Sequence, residues 1–234
     1  MKKLENIFLI ASISMLILSI IFSLAVAAPT GASVTQVGDQ ERGSESSSPG
    51  EVQTQGGNLT YVNVSAYQIT GKWAGFYGNI SGDIRLADSS NNIFYKWTIS
   101  DPTGSVVYVC NGTVSSWTTA NIVPLYANDN LLPSFLKSGA DSFNVTFTSQ
   151  EQFTSASLTI NNVNYTYTYS NNQPGSTFKT YALKATNENV MIWAGKAVRA
   201  GTSFKNTAVD YQVLAGVPAQ YPNTVTFYFY LELP

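Results

Sequence analysis

NISGDIRLADSSNNIFYKWTISDPTGSVVYVC, residues 79–110, alternates apolar and polar side chains with a period of two. That period puts successive side chains on opposite faces of a pleated strand. Ile80, Ile84 and Leu86 share one face, against Asn79, Ser81, Asp83 and Arg85 on the other. Ile93, Tyr95, Trp97 and Ile99 are in phase in the next run. DSSNN at 88–92 and DPTG at 101–104 are turn sequences, since Asp caps its own following backbone and Pro presets φ. The spacing predicts three strands in a meander.

The same texture continues outward from this stretch. LTYVNVSA (59–66) alternates, with Val62, Val64 and Ala66 on one side. DSFNVTFTS, SASLTI and NVNYTYTYS follow, with Asn161 and Asn162 placed to turn a hairpin between the last two. TFKTYALKAT, ENVMIWAGKAV, AVDYQVLAG and TVTFYFYLEL bring the total to roughly ten strands. One interruption, NIVPLYANDNLLPSFLKSG, spaces Leu131, Leu132, Phe135 and Leu136 as a short helix would, with Pro133 tolerable only near its start. In the last strand Val225, Phe227, Phe229, Leu231 and Leu233 form the inward row; Tyr228, Tyr230 and Glu232 form the outward one. Many short strands with few helices predict an all-β fold, an antiparallel β-sandwich of Greek-key or immunoglobulin-like style, over residues 58–234.

The amino-terminal part reads differently. Lys2 and Lys3 precede an uncharged apolar run over residues 7–28, long enough to cross a bilayer as a helix. A-V-A at 25–27 also has the small-residue form of a signal-peptidase site, with cleavage after Ala27 leaving Ala28 first. Residues 1–28 are therefore a signal peptide or an N-terminal transmembrane anchor, and the positive-inside rule puts everything after them outside. Residues 29–57 are rich in Gly, Ser and Gln and poor in large apolar side chains, which predicts a flexible, disordered linker. SVTQV at 33–37 is the one stretch in it that resembles a strand for assembly.

Composition excludes whole classes of chemistry. The chain has no histidine, which removes Ser-His-Asp and Cys-His arrangements, histidine zinc sites and the usual neutral-pH base. A net charge of −2 provides no basic footprint for nucleic acid. The single cysteine, Cys110, excludes an intrachain disulfide and reads as a small buried hydrophobe. No pair among the carboxylates is marked as an acid and base by its surroundings, and the turns at 88–92 and 128–130 lack the acid density of a calcium loop. The expectation is a non-enzyme without catalytic, cofactor-binding or metal-binding residues.

Two residue sets remain as candidate sites. N-x-[ST] sequons occur at Asn58, Asn63, Asn79, Asn111, Asn144 and Asn164; in Asn63, Asn79, Asn144 and Asn164 the amide falls on the polar side of an alternating run. Aromatic residues form the other set: Trp73, Phe76 and Tyr77 in the glycine-rich KWAGFYGNISG, Tyr165, Tyr167 and Tyr169 in NYTYTYS, and Tyr228 and Tyr230 in the last strand. Rings with polar tips suit stacking on sugars or on a partner protein. In KWAGFYGNISG the glycines allow a bend that turns Trp73 and one of Phe76 or Tyr77 inward, leaving the other ring outside.

WAGFYGNISGDIRLADSSNNIFYKWTI, residues 73–99, resembles a segment found in uncharacterised exported archaeal cell-surface proteins, with W-A-G, two aromatics, G-N, a β-branched residue, S/T-G and an F-Y-x-W strand. The resemblance implies an all-β domain on the cell surface behind an amino-terminal membrane signal. It brings no catalytic or ligand residues. The functional expectation is a non-enzymatic cell-envelope protein with a structural, adhesive or surface-layer role, held to the membrane through its N-terminal helix if that helix is uncleaved. The alternatives are a filament subunit assembling by strand addition and a carbohydrate-binding module. Envelope proteins, glycans or further copies of the chain are the expected partners.

Overall fold

The computed structural model describes residues 28–45 and 49–234. The expected membrane segment lies outside the described residues except for Ala28. Among the described residues no helix is long and apolar enough to cross a membrane.

The described chain is nearly all β and antiparallel throughout. In chain order the strands are β1 (Thr30–Gly31), β2 (Trp73–Gly78), β3 (Asp83–Ala87), β4 (Ile93–Thr98), β5 (Val106–Cys110), β6 (Ile122–Pro124) and β7 (Ser149–Thr154). They continue with β8 (Thr159–Tyr167), β9 (Lys179–Ala185), β10 (Val190–Lys196), β11 (Gly201–Thr202), β12 (Ala208–Val209), β13 (Tyr211–Gly216) and β14 (Tyr228–Glu232). The main sheet runs β1-β14-β5-β10-β9-β8-β7, with β6 also on β9. β2 pairs with β13, β3 with β4 and β11 with β12.

β5, β9 and β10 are buried almost end to end, which is why VVYVC, YAL and MIWAG are continuous apolar runs rather than alternating ones. Tyr108, Tyr181, Leu183 and Ile192 point to one face of the sheet, where Phe153, Ile160, Val163 and Trp117 complete a core. Val107, Val109, Ala182, Met191 and Trp193 point to the other, against Val213 and Ala215 of β13 and Trp73 and Phe76 of β2. Backbones approach closely on this second side. A Cβ on Gly195 would stand 2.4 Å from a methyl of Val213, and one on Gly216 would stand 2.8 Å from the Trp193 ring. Only glycine fits at either position.

Several expectations are corrected. β3 and β4 do form a hairpin around the 88–92 turn, where Asp88 Oδ1 accepts from the N–H groups of Ser90 and Asn92. β5, however, leaves this hairpin to pair with β10 and β14, so there is no three-stranded meander. Residues 59–66 form no strand. Asn161 and Asn162 do not turn a hairpin: β8 runs through them as one strand, with Asn162 at φ 57° beside a register shift against β7. The turn falls earlier, at residues 155–158, closed by Ser155 N–H on the Leu158 carbonyl. Asn144 sits in a single α-turn, Phe143–Thr146, rather than in a strand. The short helix near Pro133 is a 3-10 turn, Ser134–Lys137, starting directly after that proline.

The last strand is also covered on both faces. Phe227, Phe229 and Leu231 join one core and Tyr230 the other. Glu232, expected on the outer face, is 1% exposed; it accepts from Tyr108 Oη at 2.5 Å and from Ser157 N–H at 2.5 Å.

The polar stretch before residue 58 carries little regular structure yet is tied down at two places. Residues 30–32 line the β14 edge, with Thr30 opposite Leu231, Gly31 opposite Tyr230, and Ala32 N–H on the Phe229 carbonyl. Farther along, Arg42 donates to the carbonyls of Ile69 and Thr70 and lies over the Tyr221 ring, while Glu41 pairs with Lys205. The wholly free linker expected over residues 29–57 is corrected at these points.

Candidate contact surfaces

The aromatic residues singled out in the sequence separate into buried and displayed groups. Trp73 is turned inward: its Nε1 donates to the Asp141 carbonyl at 2.7 Å and its ring meets Phe147 and Trp193. Phe76 packs edge-on against Phe227 and Phe229. Tyr77 is the ring left outside, alternate to Phe76 on the same strand, and it pairs on the surface with Phe204 at 5.0 Å. Tyr230 is committed to structure, accepting from Val114 N–H and packing on Trp117. Tyr228 and Tyr169 are exposed.

Tyr165 and Tyr167 belong to a charged cluster that satisfies itself. Lys179 Nζ lies 4.4 Å from the Tyr165 ring centre and 5.4 Å from that of Tyr167, and bonds both Glu151 oxygens at 2.7 Å. Tyr181 Oη donates to the same carboxylate. Burial raises the Glu151 pKa, but the bonds from Lys179 and Tyr181 outweigh it and hold the carboxyl below its ordinary value. Burial lowers the pKa of the neighbouring Lys196, with Glu151 opposing and Lys179 adding to the effect. Lys179 and Glu151 pair with each other, while Lys196, among the described residues, reaches only the Thr154 hydroxyl and the rings of Phe153 and Tyr181, so the cluster packs the β7–β8–β9 surface.

The sequons divide by exposure. Asn58, Asn63, Asn79 and Asn144 are exposed. Asn111 is half-buried, its Oδ1 accepting from Met191 N–H. Asn164 is 7% exposed, with Nδ2 on the Leu125 carbonyl and Oδ1 accepting from Gln150. Its expected projection from an open face is therefore corrected.

Glu188 and Cys110 show what the remaining reactive groups do. Hydrogen bonds from Ser115 and Asn121 pull the Glu188 carboxyl down to about 2, and the carboxylate thereby pins the loop that carries Val114 and Trp117. Burial pushes the Cys110 thiol up, away from its reactive form. Among the described residues no three His, Cys, Asp or Glu side chains converge on a metal-sized site.

One exposed apolar feature was not anticipated. On the β3–β4 hairpin, Ile84 lies opposite Trp97 and Leu86 opposite Tyr95, so all four share one face. They are between 45% (Ile84) and 56% (Tyr95) exposed, and the Tyr95 and Trp97 rings stand 4.8 Å apart. The opposite face carries Arg85 and Lys96, both paired with Asp83, together with Phe94, which is 84% exposed. Alternation in the sequence shows which side chains share a face, but not which face meets the core. Neither face of this hairpin meets a core: it pairs with no other strand among the described residues, and both its strands are exposed along almost their whole length. No family model, curated protein or solved structure matches the chain.

Proposed function

We propose that this is a non-enzymatic cell-envelope protein that displays a Greek-key β-sandwich outside the membrane and works through contact, in a structural, adhesive or surface-layer role. Residues 1–28 act as signal peptide or anchor. The observation that carries this reading is the open apolar hairpin face of Ile84, Leu86, Tyr95 and Trp97, a surface fitted for contact rather than for enclosing a substrate. Fractionation of native envelopes with mass spectrometry of the extracted chain tests it. The expected result is envelope-bound protein that begins at Met1 or at Ala28; recovery only in the cytoplasmic fraction overturns it.

A filament built by strand addition is a second reading, favoured by residues 30–32 lying along the β14 edge. A segment that pairs with its own last strand has the side-chain pattern to pair with a neighbour's. Fibres formed by purified protein, and lost on Gly31→Pro, are expected under this reading. Fibres that persist in that variant count against it.

A further inference from the structure

Two features of the chain lack a partner, and they match each other. The first is the β3–β4 hairpin, whose strands pair only with one another among the described residues, leaving two backbone edges and one apolar face open. The second is residues 59–67, LTYVNVSAY. This segment has strand composition and period-two alternation, yet among the described residues its backbone bonds to no other backbone group. Its side chains stand in water, with Tyr61 and Val64 each 90% exposed. Residues 58–70 carry no charge, and neither does the hairpin's apolar face.

The segment cannot cover the hairpin of its own chain. Arg42 holds Ile69 and Thr70, and Gly71 and Lys72 accept from Tyr221 and Val217, so the segment leaves the body beside the Trp73 end of β2. The hairpin begins beyond the other end, past Gly78. The six-residue β2 puts about 17 Å or more between these points. Residues 59–67, fully extended, reach about 30 Å. Folding back would use most of the segment as a bridge and leave only three or four residues to pair.

We infer that residues 59–67 of one copy of the chain add as a third strand to the β3–β4 hairpin of a second copy, reciprocally, so that two three-stranded sheets stack their apolar faces together. Val62 and Val64 join Ile84, Leu86, Tyr95 and Trp97 between the sheets, while Asn63 turns outward with Arg85 and Lys96. A two-fold pair of this kind covers one open edge and the apolar face of each hairpin with groups already on the chain. A membrane surface is the less suited occupant. Asp83, Arg85, Asp88 and Lys96 cancel in charge, leaving no basic excess for anionic lipid.

The inference deepens the proposed contact role and rests on it. It is tested with the full chain in detergent, where buried Cys110 is silent. Two differently tagged forms, V64C on one and L86C or Y95C on the other, are mixed and oxidised. A mixed-tag disulfide dimer with either hairpin cysteine is the expected result. Failure of both cysteines to cross-link, or an intrachain disulfide in monomeric V64C/L86C, overturns the inference. V62D/V64D alters exposed side chains that belong to neither core cluster, so it is expected to leave folding intact. It is expected to weaken dimerisation at least tenfold by sedimentation, whereas association through the apolar N-terminal segment would persist unchanged and overturn the inference. Binding of the monomeric chain to phosphatidylcholine or phosphatidylglycerol vesicles, in place of self-association, also overturns it. Envelope localisation is read separately, so loss of the dimer with localisation intact sinks the inference alone.

Discussion

Trp73 and Trp193, each the first residue of a W-A-G triplet, meet edge to face with ring centres 5.6 Å apart and planes at 75°. The two triplets do different work. A Cβ on Gly75 would meet nothing within 4 Å, whereas Gly195 lies against Val213, so the repeated letters do not mark repeated structure. Trp73→Ala should cost roughly 2–4 kcal/mol, because it empties ring volume between β2 and the main sheet. Trp73→Phe should recover part of this but not the bond to Asp141. Chemical denaturation of the three proteins checks the order.

Gly195→Ala should destabilise by about 1–3 kcal/mol despite adding only a methyl group, since that methyl must displace Val213 and crowd the Gln212 carbonyl. Gly195→Ala combined with Val213→Ala should lose less than the sum of the single losses. Additive losses in a double-mutant cycle would contradict the packing described.

Stability should fall as pH drops from about 4.5 toward 2. Glu188 has an ordinary carboxyl value of 4.5 when unfolded and about 2 when folded, so the unfolded chain binds the proton first. Its contribution is complete above the unfolded value and is lost on acidification through the folded one. Glu151 and Asp141, both also held low, act in the same direction. Glu188→Gln should flatten part of the slope of denaturation midpoint against pH; an unchanged slope would remove Glu188 from the account.

Tyr108→Phe should cost about 1–3 kcal/mol, because it leaves the buried Glu232 carboxylate with Ser157 N–H as its remaining described donor. Removal of residues 229–234 deletes Phe229, Leu231 and Glu232 together and should prevent folding. Protease-resistant expression of that truncated chain would contradict the part β14 plays in both cores.

Glycans, where the chain carries them, should be found by mass spectrometry at Asn58, Asn63, Asn79 or Asn144. A glycan on folded Asn164 would contradict the burial of its amide.

The all-β character was legible because strand patterns and turn residues are local properties. VVYVC and MIWAG are apolar without a break, as strands covered on both faces are, but the expected meander made no use of that mark. The errors came where a distant partner decides. Glu232 looks outward by alternation, but Tyr108 from β5 and the 155–158 turn close over it. Asn161 and Asn162 carry turn chemistry, which the chain uses for a kink inside β8 instead. Residues 59–66 have every local mark of a strand, yet among the described residues their backbone pairs with no other strand. Among the candidate rings, the glycine-rich stretch narrowed the choice to Phe76 or Tyr77, and Phe227 with Phe229 of β14 settled it in favour of burying Phe76.

The seating of residues 30–32 on β14 has a mechanical consequence. Two residues in register and one further backbone bond form a contact short enough to peel open bond by bond when residue 28 is pulled. Load then passes to the ties at Glu41 and Arg42 before it reaches β2. The stretch between acts as a slack leader that yields at low force and re-zips when tension is released. Force spectroscopy should record its reversible extension ahead of the cooperative rupture of the main sheet.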